Sequence, residues 1–352
     1  MRSIIHERPG VYSSYDASAA VRGGRAIRTI GVAARSAGGA ASTPVALTSY
    51  EAGIGVFGED RTDSPGMAAM LRLLFLGGAS RVVAVAVEDE NYAAAFAALQ
   101  AAEDIQVVVC DSGDLTVQQA LRASVEAASA ARRERIAVVG MDGADTEALR
   151  ERAKALNSER MVLVGPDVLD SSGQALPGMF AAAAAAAAIA AARDPAIPLN
   201  GTELRGLGGV SEQYGDNEVD LLVQSGVTPL EALGGAVSPI RGVTTRTTSG
   251  GAPDTTWREL TTILIVDDVI PSIRQSLRSR FSRTKNTAQT RGAIRSQVIV
   301  ELESKVRGEI IDRYGDVTVS VCEDDPTVCL VEFSFSVAHG LNQIHLTAHI
   351  TI

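Results

Sequence analysis

The sequence is poor in the residues that carry most catalytic and metal-binding chemistry. Its 352 residues include only four histidines, three cysteines, three lysines and one tryptophan, and aromatics make up 4%. The cysteines, Cys110, Cys322 and Cys329, are odd in number and have no CxxC spacing. That argues against a zinc ribbon or a disulfide framework and reads as buried thiols in a reducing compartment. The histidines, His6, His339, His345 and His349, form no HExxH. His345 and His349 share one face of a strand-like segment, but at the strand rise they stand ~13 Å apart, too far to share a metal. No GxxxxGK[ST] and no GxSxG is present, and Gly206-Leu207-Gly208-Gly209 lacks the GxGxxG spacing. No resident cofactor is therefore expected. The longest apolar run, residues 179–192, is mostly alanine and too short to span a bilayer, and residues 1–10 hold no apolar stretch suited to a signal peptide. The expectation is a chain neither inserted in a membrane nor secreted through a signal peptide. A formal net charge of −10 argues against nucleic acid as a partner.

What is present is an ordinary globular balance, 46% hydrophobic and 21% charged, in which small and aliphatic residues must build the core. The middle of the chain is its most regular part. Apolar runs at 105–110, 136–141 and 161–165 each precede a helical pattern, at 116–133, 145–156 and 177–193. That alternation predicts a mostly parallel sheet flanked by helices. Residues 71–76 read as a helix stopped at Gly77-Gly78, and residues 81–87 as a strand. Beyond residue 195 the texture turns to Gly, Pro and Thr, with a hairpin expected at residues 249–254. A helix is predicted from Asp267-Asp268, with Pro271 in its first turn and Ile273, Leu277 and Phe281 on one face. A second carries Ile294, Val298, Leu302, Val306 and Ile310, and β runs follow at 317–321 and 329–337. The domain reading is an N-terminal arm (1–20), a β-rich subdomain (21–95), an α/β core (96–200), a C-terminal α+β domain (201–338) and a terminal strand arm (339–352).

The last ten residues alternate without a miss. Ile344, Leu346, Ala348, Ile350 and Ile352 take one face, and Gln343, His345, Thr347, His349 and Thr351 the other. A strand at a chain end needs a sheet edge to hold it, either in its own domain or in a neighbouring subunit, and Gly340 offers a hinge before it.

Two charged constellations stand out. Asp111, Asp142 and Asp167 each follow a predicted parallel strand, where ligands of open α/β sheets bind. They could line a metal or phosphate site in a hydrolase. The plainer and preferred reading is that Asp is a common loop and helix-capping residue. Between residues 271 and 300, Arg274, Arg278, Arg280, Arg283, Lys285, Arg291 and Arg295 occur with no acid. Such a band either registers a negatively charged partner surface or is a solvated helix face paired with acids of its own domain.

Several short motifs, in order along the chain, resemble the contractile tail sheath proteins of bacteriophages and related injection particles. Arg8-Pro9-Gly10-Val11-Tyr12 is similar to the family's opening. Gly77-Gly78-Ala79-Ser80-Arg81-Val82 resembles its strand entry. Asp194-Pro195 with Pro198-Leu199-Asn200-Gly201 follows the Ala-rich helix. Gly226-Val227-Thr228 and Arg241-Gly242-Val243-Thr244-Thr245-Arg246-Thr247 resemble its C-terminal core. His339-Gly340-Leu341-Asn342 and Ile344-His345-Leu346-Thr347 resemble its final strand.

The resemblance implies a structural subunit rather than an enzyme. In the family, extended N- and C-terminal arms add strands to sheets of adjacent subunits, and the mesh surrounds an inner tube. Here the arm contacts would come from Pro9, Gly10, Val11, Tyr12 and Tyr15 at one end and Ile344, Leu346, Ala348, Ile350 and Ile352 at the other. By the same analogy the partners are further copies of the chain in a helical array of six-fold rings, an inner tail tube protein, and baseplate and tail terminator proteins. The particle tail, assembled in the bacterial host cytoplasm, is the implied location. Arg274, Arg278, Arg280 and Arg283 are the candidates for facing the tube. A non-contractile shell protein and a metal-dependent hydrolase remain as alternatives.

Overall fold

The computed structural model describes residues 28–61, 65–102, 104–143, 145–342, 344, 346 and 347. The expected N-terminal arm, with Pro9, Gly10, Val11, Tyr12 and Tyr15, lies outside the described residues, as do Ala348, Ile350 and Ile352.

The described chain opens with β1 (Thr29–Arg35), β2 (Val45–Leu47), α1 (Tyr50–Phe57), α2 (Met67–Leu76) and β3 (Val82–Val87). Strand and helix then alternate through α3 (Tyr92–Ala101), β4 (Ile105–Cys110), α4 (Leu115–Ala130), β5 (Ile136–Gly140), α5 (Thr146–Leu156) and β6 (Met161–Gly165). Next come β7 (Val168–Asp170), β8 (Ala175–Leu176), α6 (Gly178–Ala191), β9 (Leu207–Val210), α7 (Asp216–Gln224), β10 (Val227–Leu233) and β11 (Ala236–Pro239). The remainder holds β12 (Thr248–Ser249), β13 (Ala252–Pro253), α8 (Leu260–Phe281), α9 (Ala288–Arg307), β14 (Ile311–Tyr314), β15 (Thr318–Val321), β16 (Cys329–Glu332) and β17 (Phe335–Val337).

The central sheet has eight strands in the order β11-β10-β6-β5-β4-β1-β3-β2. All neighbours pair in parallel except the two edges, where β2 runs against β3 and β11 against β10. Every residue of β3, β5 and β6 is buried, as expected for parallel strands covered on both faces. Residues 21–95 and 96–200, expected as separate units, both supply strands to this one sheet, and β10 and β11 extend it from the 201–338 segment. On one face lie α1, α2 and α6; on the other lie α3, α4, α5 and α7.

The polyalanine helix α6 is the tightest contact of this body. It has no polar face, and nearly all of it is buried against α2 and strands β4, β5 and β6. Alanine side chains let its axis lie close to the sheet, and the sheet answers with glycine. A Cβ on Gly140 of β5 would collide with the Gly178 carbonyl at the start of α6, and one on Gly77 with Ala187.

The C-terminal half departs from its sequence reading in three places. The helix expected from Asp267-Asp268 begins earlier, at Leu260, because Leu260, Ile263 and Leu264 bury against the sheet body while Ile265, Val269 and Ile273 enter a second core with Val298, Leu302, Ile311 and Val317. Pro271 therefore lies inside α8 rather than in its first turn, where its missing N–H leaves the Asp267 carbonyl without its helical donor. Helix α9 ends at Arg307, so Ile310 reaches the second core from the following turn. Gly340 is not an open hinge: a Cβ there would strike Pro198, so the glycine serves a close approach. The expected hairpin is present as β12 and β13 around Gly250-Gly251, both at positive φ (58° and 84°). Of the three thiols only Cys110 is buried; Cys322 and Cys329 are half-buried on the C-terminal strands.

Substituting Gly140→Ala should lower stability by about 3 kcal/mol, since backbone faces backbone and cannot relax cheaply. Gly292→Ala, in the exposed interior of α9 with open space at its Cβ, should instead raise it by roughly 0.5–1 kcal/mol. Urea unfolding followed by circular dichroism checks both; equal midpoints for the two variants would contradict the packing account.

Candidate subunit interface

Ligand crevices in open α/β sheets form where neighbouring strands send their connections to opposite faces. This sheet has two such places. The chain leaves β1 toward the α1–α2 face but leaves β3 and β4 toward the α3–α4 face, and it leaves β5 and β6 toward α5 and α6 on opposite faces. Both crevices are closed by an aspartate. Asp111, its side chain fully buried, accepts from Arg35 Nε (2.8 Å), from the Arg35 backbone N–H (3.1 Å) and from the Tyr92 hydroxyl (2.7 Å). Its hydrogen bond raises the Arg35 pKa, and burial with the neighbouring carboxylate pushes the Tyr92 hydroxyl up. Burial also raises the adjacent Cys110 thiol to about 12, so it stays protonated.

At the second crevice, Asp167 accepts from the backbone N–H of Gly143 (2.8 Å) and of Gly178 (2.7 Å), tying the β5–α5 loop to the N-terminus of α6. Burial raises its pKa, and the two N–H donors oppose that rise. Asp142 is exposed beside it. The three acids thus do not converge. Asp111 and Asp167 hold separate crevices shut, and among the described residues no group of three or more His, Cys, Asp or Glu is placed to hold a metal. Among the described residues, the three acids are thus not assembled as the hydrolase alternative requires.

Besides the two edges of the central sheet, unpaired strand edges among the described residues lie in the C-terminal half. Strands β14 and β17 pair from Ile311↔Val337 to Tyr314↔Phe335, and β15 and β16 from Thr318↔Glu332 to Val321↔Cys329. The Gly315 N–H donates to the Ser334 carbonyl (2.8 Å) between them, so the four strands make one long two-stranded ribbon with an irregularity at its middle. Ile311, Val317, Val331, Phe333 and Phe335 pack it on α8 and α9. Among the described residues no further strand pairs with either outer edge. Two-stranded ribbons are marginal alone, and open edges invite another chain.

After β17 the chain crosses Pro198, where Gly340 fits, and the Asn200 side-chain amide donates to Asn342 Oδ1 (2.8 Å). Past that clamp Ile344 is 78% exposed and Leu346 90%. Residues 344, 346 and 347 join no strand of this chain, so the alternating face predicted there finds no sheet within the described molecule.

The basic band sits at the end of α8 and the start of α9. Its members are not equivalent. Arg274 pairs with Glu134 of the sheet body (2.7 Å), and Arg295 Nε donates to the Val317 carbonyl (2.7 Å). Arg278, Arg280, Arg283 and Lys285 are exposed. The same helix carries two half-hidden pairs that sequence reading missed. Asp267 accepts a bidentate pair from Arg160 (2.8 and 3.1 Å), and Asp268 accepts from Lys305 (2.9 Å). Burial raises the Asp267 pKa and Arg160 opposes it. The available signal was two adjacent acids in an otherwise apolar helical stretch.

Comparison with known proteins identifies the family. Residues 86–245 match the model of the phage tail sheath protein central domain, and residues 252–351 that of the phage tail sheath C-terminal domain. The tail sheath protein of Bacillus phage SP01 is 32% identical over 252 residues, which are 70% of this chain and 43% of that protein, so the match spans less than half of the curated relative. Among solved structures, the helical sheath of the anti-feeding prophage in its contracted state aligns with TM-score 0.74 at 17% identity, over 98% of this chain and 99% of that one. The sheath of an extracellular contractile injection system, PVC, contracted, aligns with TM-score 0.74 at 13% identity over 99% of each chain. A sheath tail protein of Listeria innocua aligns with TM-score 0.73 at 13% identity, over 90% of this chain and 93% of that one. A fold shared along its whole length, together with two adjacent family domains in the expected order, makes this chain a member of the phage tail sheath protein family.

Proposed function

We propose that this chain is the repeating subunit of a contractile tail sheath, a helical polymer around an inner tube that contracts by rigid-body rearrangement and drives the tube through a cell envelope. The observation that carries this is the C-terminal ribbon, with no further strand on either edge among the described residues, in a chain whose apolar Ile344 and Leu346 are exposed and join no strand. Edge and strand fit each other by β-augmentation, in which main-chain hydrogen bonds give affinity and alternate side chains give register. Edge and strand are different surfaces, so their contact between copies is head-to-tail, and head-to-tail contacts that do not close into a ring propagate as helices.

The energetics suit a link that survives large movement. Five or six main-chain bonds at roughly 1 kcal/mol net each, with Ile344, Leu346, Ile350 and Ile352 buried in a neighbour, would hold a copy in place while the bodies turn. The N-terminal arm, with Pro9, Gly10, Val11, Tyr12 and Tyr15, and the C-terminal arm, with Ala348 among its apolar residues, supply the links in this reading. Copies would stack in six-fold rings between a baseplate and a tail terminator, placing the protein in the tail of a particle assembled in its bacterial host. The inner tube is the partner assigned to the basic band. Because Arg274 is engaged with Glu134, the facing rests mainly on Arg280 and Arg283, with the exposed Arg278 beside them.

Two experiments test this. Deleting residues 343–352 should leave a subunit with wild-type circular dichroism that no longer forms tubes in negative-stain images, with a critical assembly concentration raised more than tenfold; normal tubes from the truncated chain would remove the arm argument. The double reversal Arg280→Glu with Arg283→Glu should weaken co-assembly with the inner tube protein while copies still polymerise alone, whereas Asp142→Ala should change neither. Tube binding untouched by the reversal would sink the tube-facing assignment and leave the polymer standing.

A further inference from the structure

One hollow lies outside both the ribbon and the basic band. It is a notch of about 150 Å³ between the second half of α7 and the segments at 240–241 and 258, and its polar lining is Asn200, Asp220, Gln224, Arg241, Arg258 and Asn342. Four side-chain nitrogens are buried without a hydrogen-bond partner among the described residues, and two of them are the Nε atoms of Arg241 and Arg258, whose side chains line this notch. Arg241 engages Glu259 through one terminal nitrogen only. The Arg258 side chain makes no ion pair or hydrogen bond among the described residues.

We propose that this notch binds an oxyanion group, the carboxylate or phosphate oxygens of a ligand, between Arg241 and Arg258. The lining is rich in donors: two guanidinium groups and three side-chain amides, of which only Asn200 and Arg241 have part of their capacity engaged. Glu259 is committed to Arg241, and the one other carboxylate, Asp220, is exposed on α7 and can turn to water. A group of acceptors completes such a site, and the planar guanidinium fork matches a carboxylate or phosphate with two parallel bonds. The volume admits one such group and excludes a nucleotide.

The position gives the site a consequence. Asn342, held by Asn200, is where the C-terminal segment leaves the body. An oxyanion bridging Arg258 to the amide of Asn342 would fix the direction in which residues 343–352 depart. The group has two possible sources, a free inorganic ion or the acidic side chain of an adjacent copy; the second rests on the assembly reading above.

The test uses the full chain and three variants. Sodium phosphate and sulfate are titrated at constant ionic strength against thermal unfolding, and critical assembly concentration is measured in parallel. With a free ion as ligand, the wild type shows a saturable rise in Tm, Arg258→Ala shifts the midpoint at least tenfold, Arg258→Lys loses part of the effect, and Arg205→Ala, exposed elsewhere, keeps it. With a neighbour's carboxylate as ligand, neither salt saturates, yet Arg258→Ala raises the critical assembly concentration at least tenfold and Arg205→Ala does not. Arg258→Ala and Arg258→Lys tracking the wild type in both assays overturns the proposal. Should the wild type itself fail to assemble, the sheath reading falls separately, and the salt titration alone decides the notch: no saturation rejects it.

Discussion

Among the described residues most strand edges are paired inside one eight-stranded sheet, whereas the C-terminal half holds a ribbon of only two strands, and the remaining features follow from that division. In the body, six parallel strands are flanked by one antiparallel strand at each side, and helices cover both faces. In the C-terminal half, a ribbon of only two strands rests on a helical hairpin with both edges unpaired among the described residues. A buried sheet must satisfy its backbone internally. A ribbon facing water need not, but it gains from any strand that arrives. The first arrangement makes a rigid block, and on the proposed reading the second is its socket.

Rigidity of the block has identifiable causes. A parallel sheet would ordinarily offer crevices for ligands at its two reversals, and here Asp111 and Asp167 fill them from within, bonding loops and helix starts that would otherwise move independently. The polyalanine helix brings its backbone against Gly140 and Gly77 without side chains long enough to slide. Helix α8 belongs to both cores, its first half to the sheet body and its middle to the ribbon's support. Arg160–Asp267 and Arg274–Glu134 tie that helix to the body from the side. A socket mounted this way moves with its block.

The sequence disclosed periodic elements well. The runs at 105–110, 136–141 and 161–165 and their following helices are where the pattern placed them, because burial on both faces leaves continuous apolar stretches that have few other uses. The start of α8 was misplaced because Asp267-Asp268 looks like a helix beginning and Pro271 like a first-turn residue. What overrode those local signals was the burial of Leu260, Ile263 and Leu264 against the sheet body, with Asp267 and Asp268 paired inside the helix to the distant Arg160 and Lys305, contacts that no window of sequence contains. Strand-end acids were legible as a group but not as a site, since spacing along the chain says nothing about which crevice each carboxylate enters. Arg241 was read only as part of a motif and Arg258 was not singled out, and their shared notch depends on the fold of α7 against them. The terminal alternation was visible from sequence alone, yet what it pairs with lies beyond a single chain.

For a contractile assembly the consequence concerns where work comes from. The chain carries no nucleotide-binding motif, so on the sheath reading the free energy of contraction resides in contacts between copies that differ in the two states. Such a transition needs bodies that do not deform, because interior packing responds to stress by resisting rather than yielding. It also needs connections that tolerate rotation without letting go. Side-chain interfaces between blocks are unsuited to that, since their complementarity is lost over small shifts, whereas a strand held by its backbone keeps its bonds as long as the linker before it can swing. Gly340 wedged on Pro198 and Asn342 held by Asn200 place the start of that linker on the block itself.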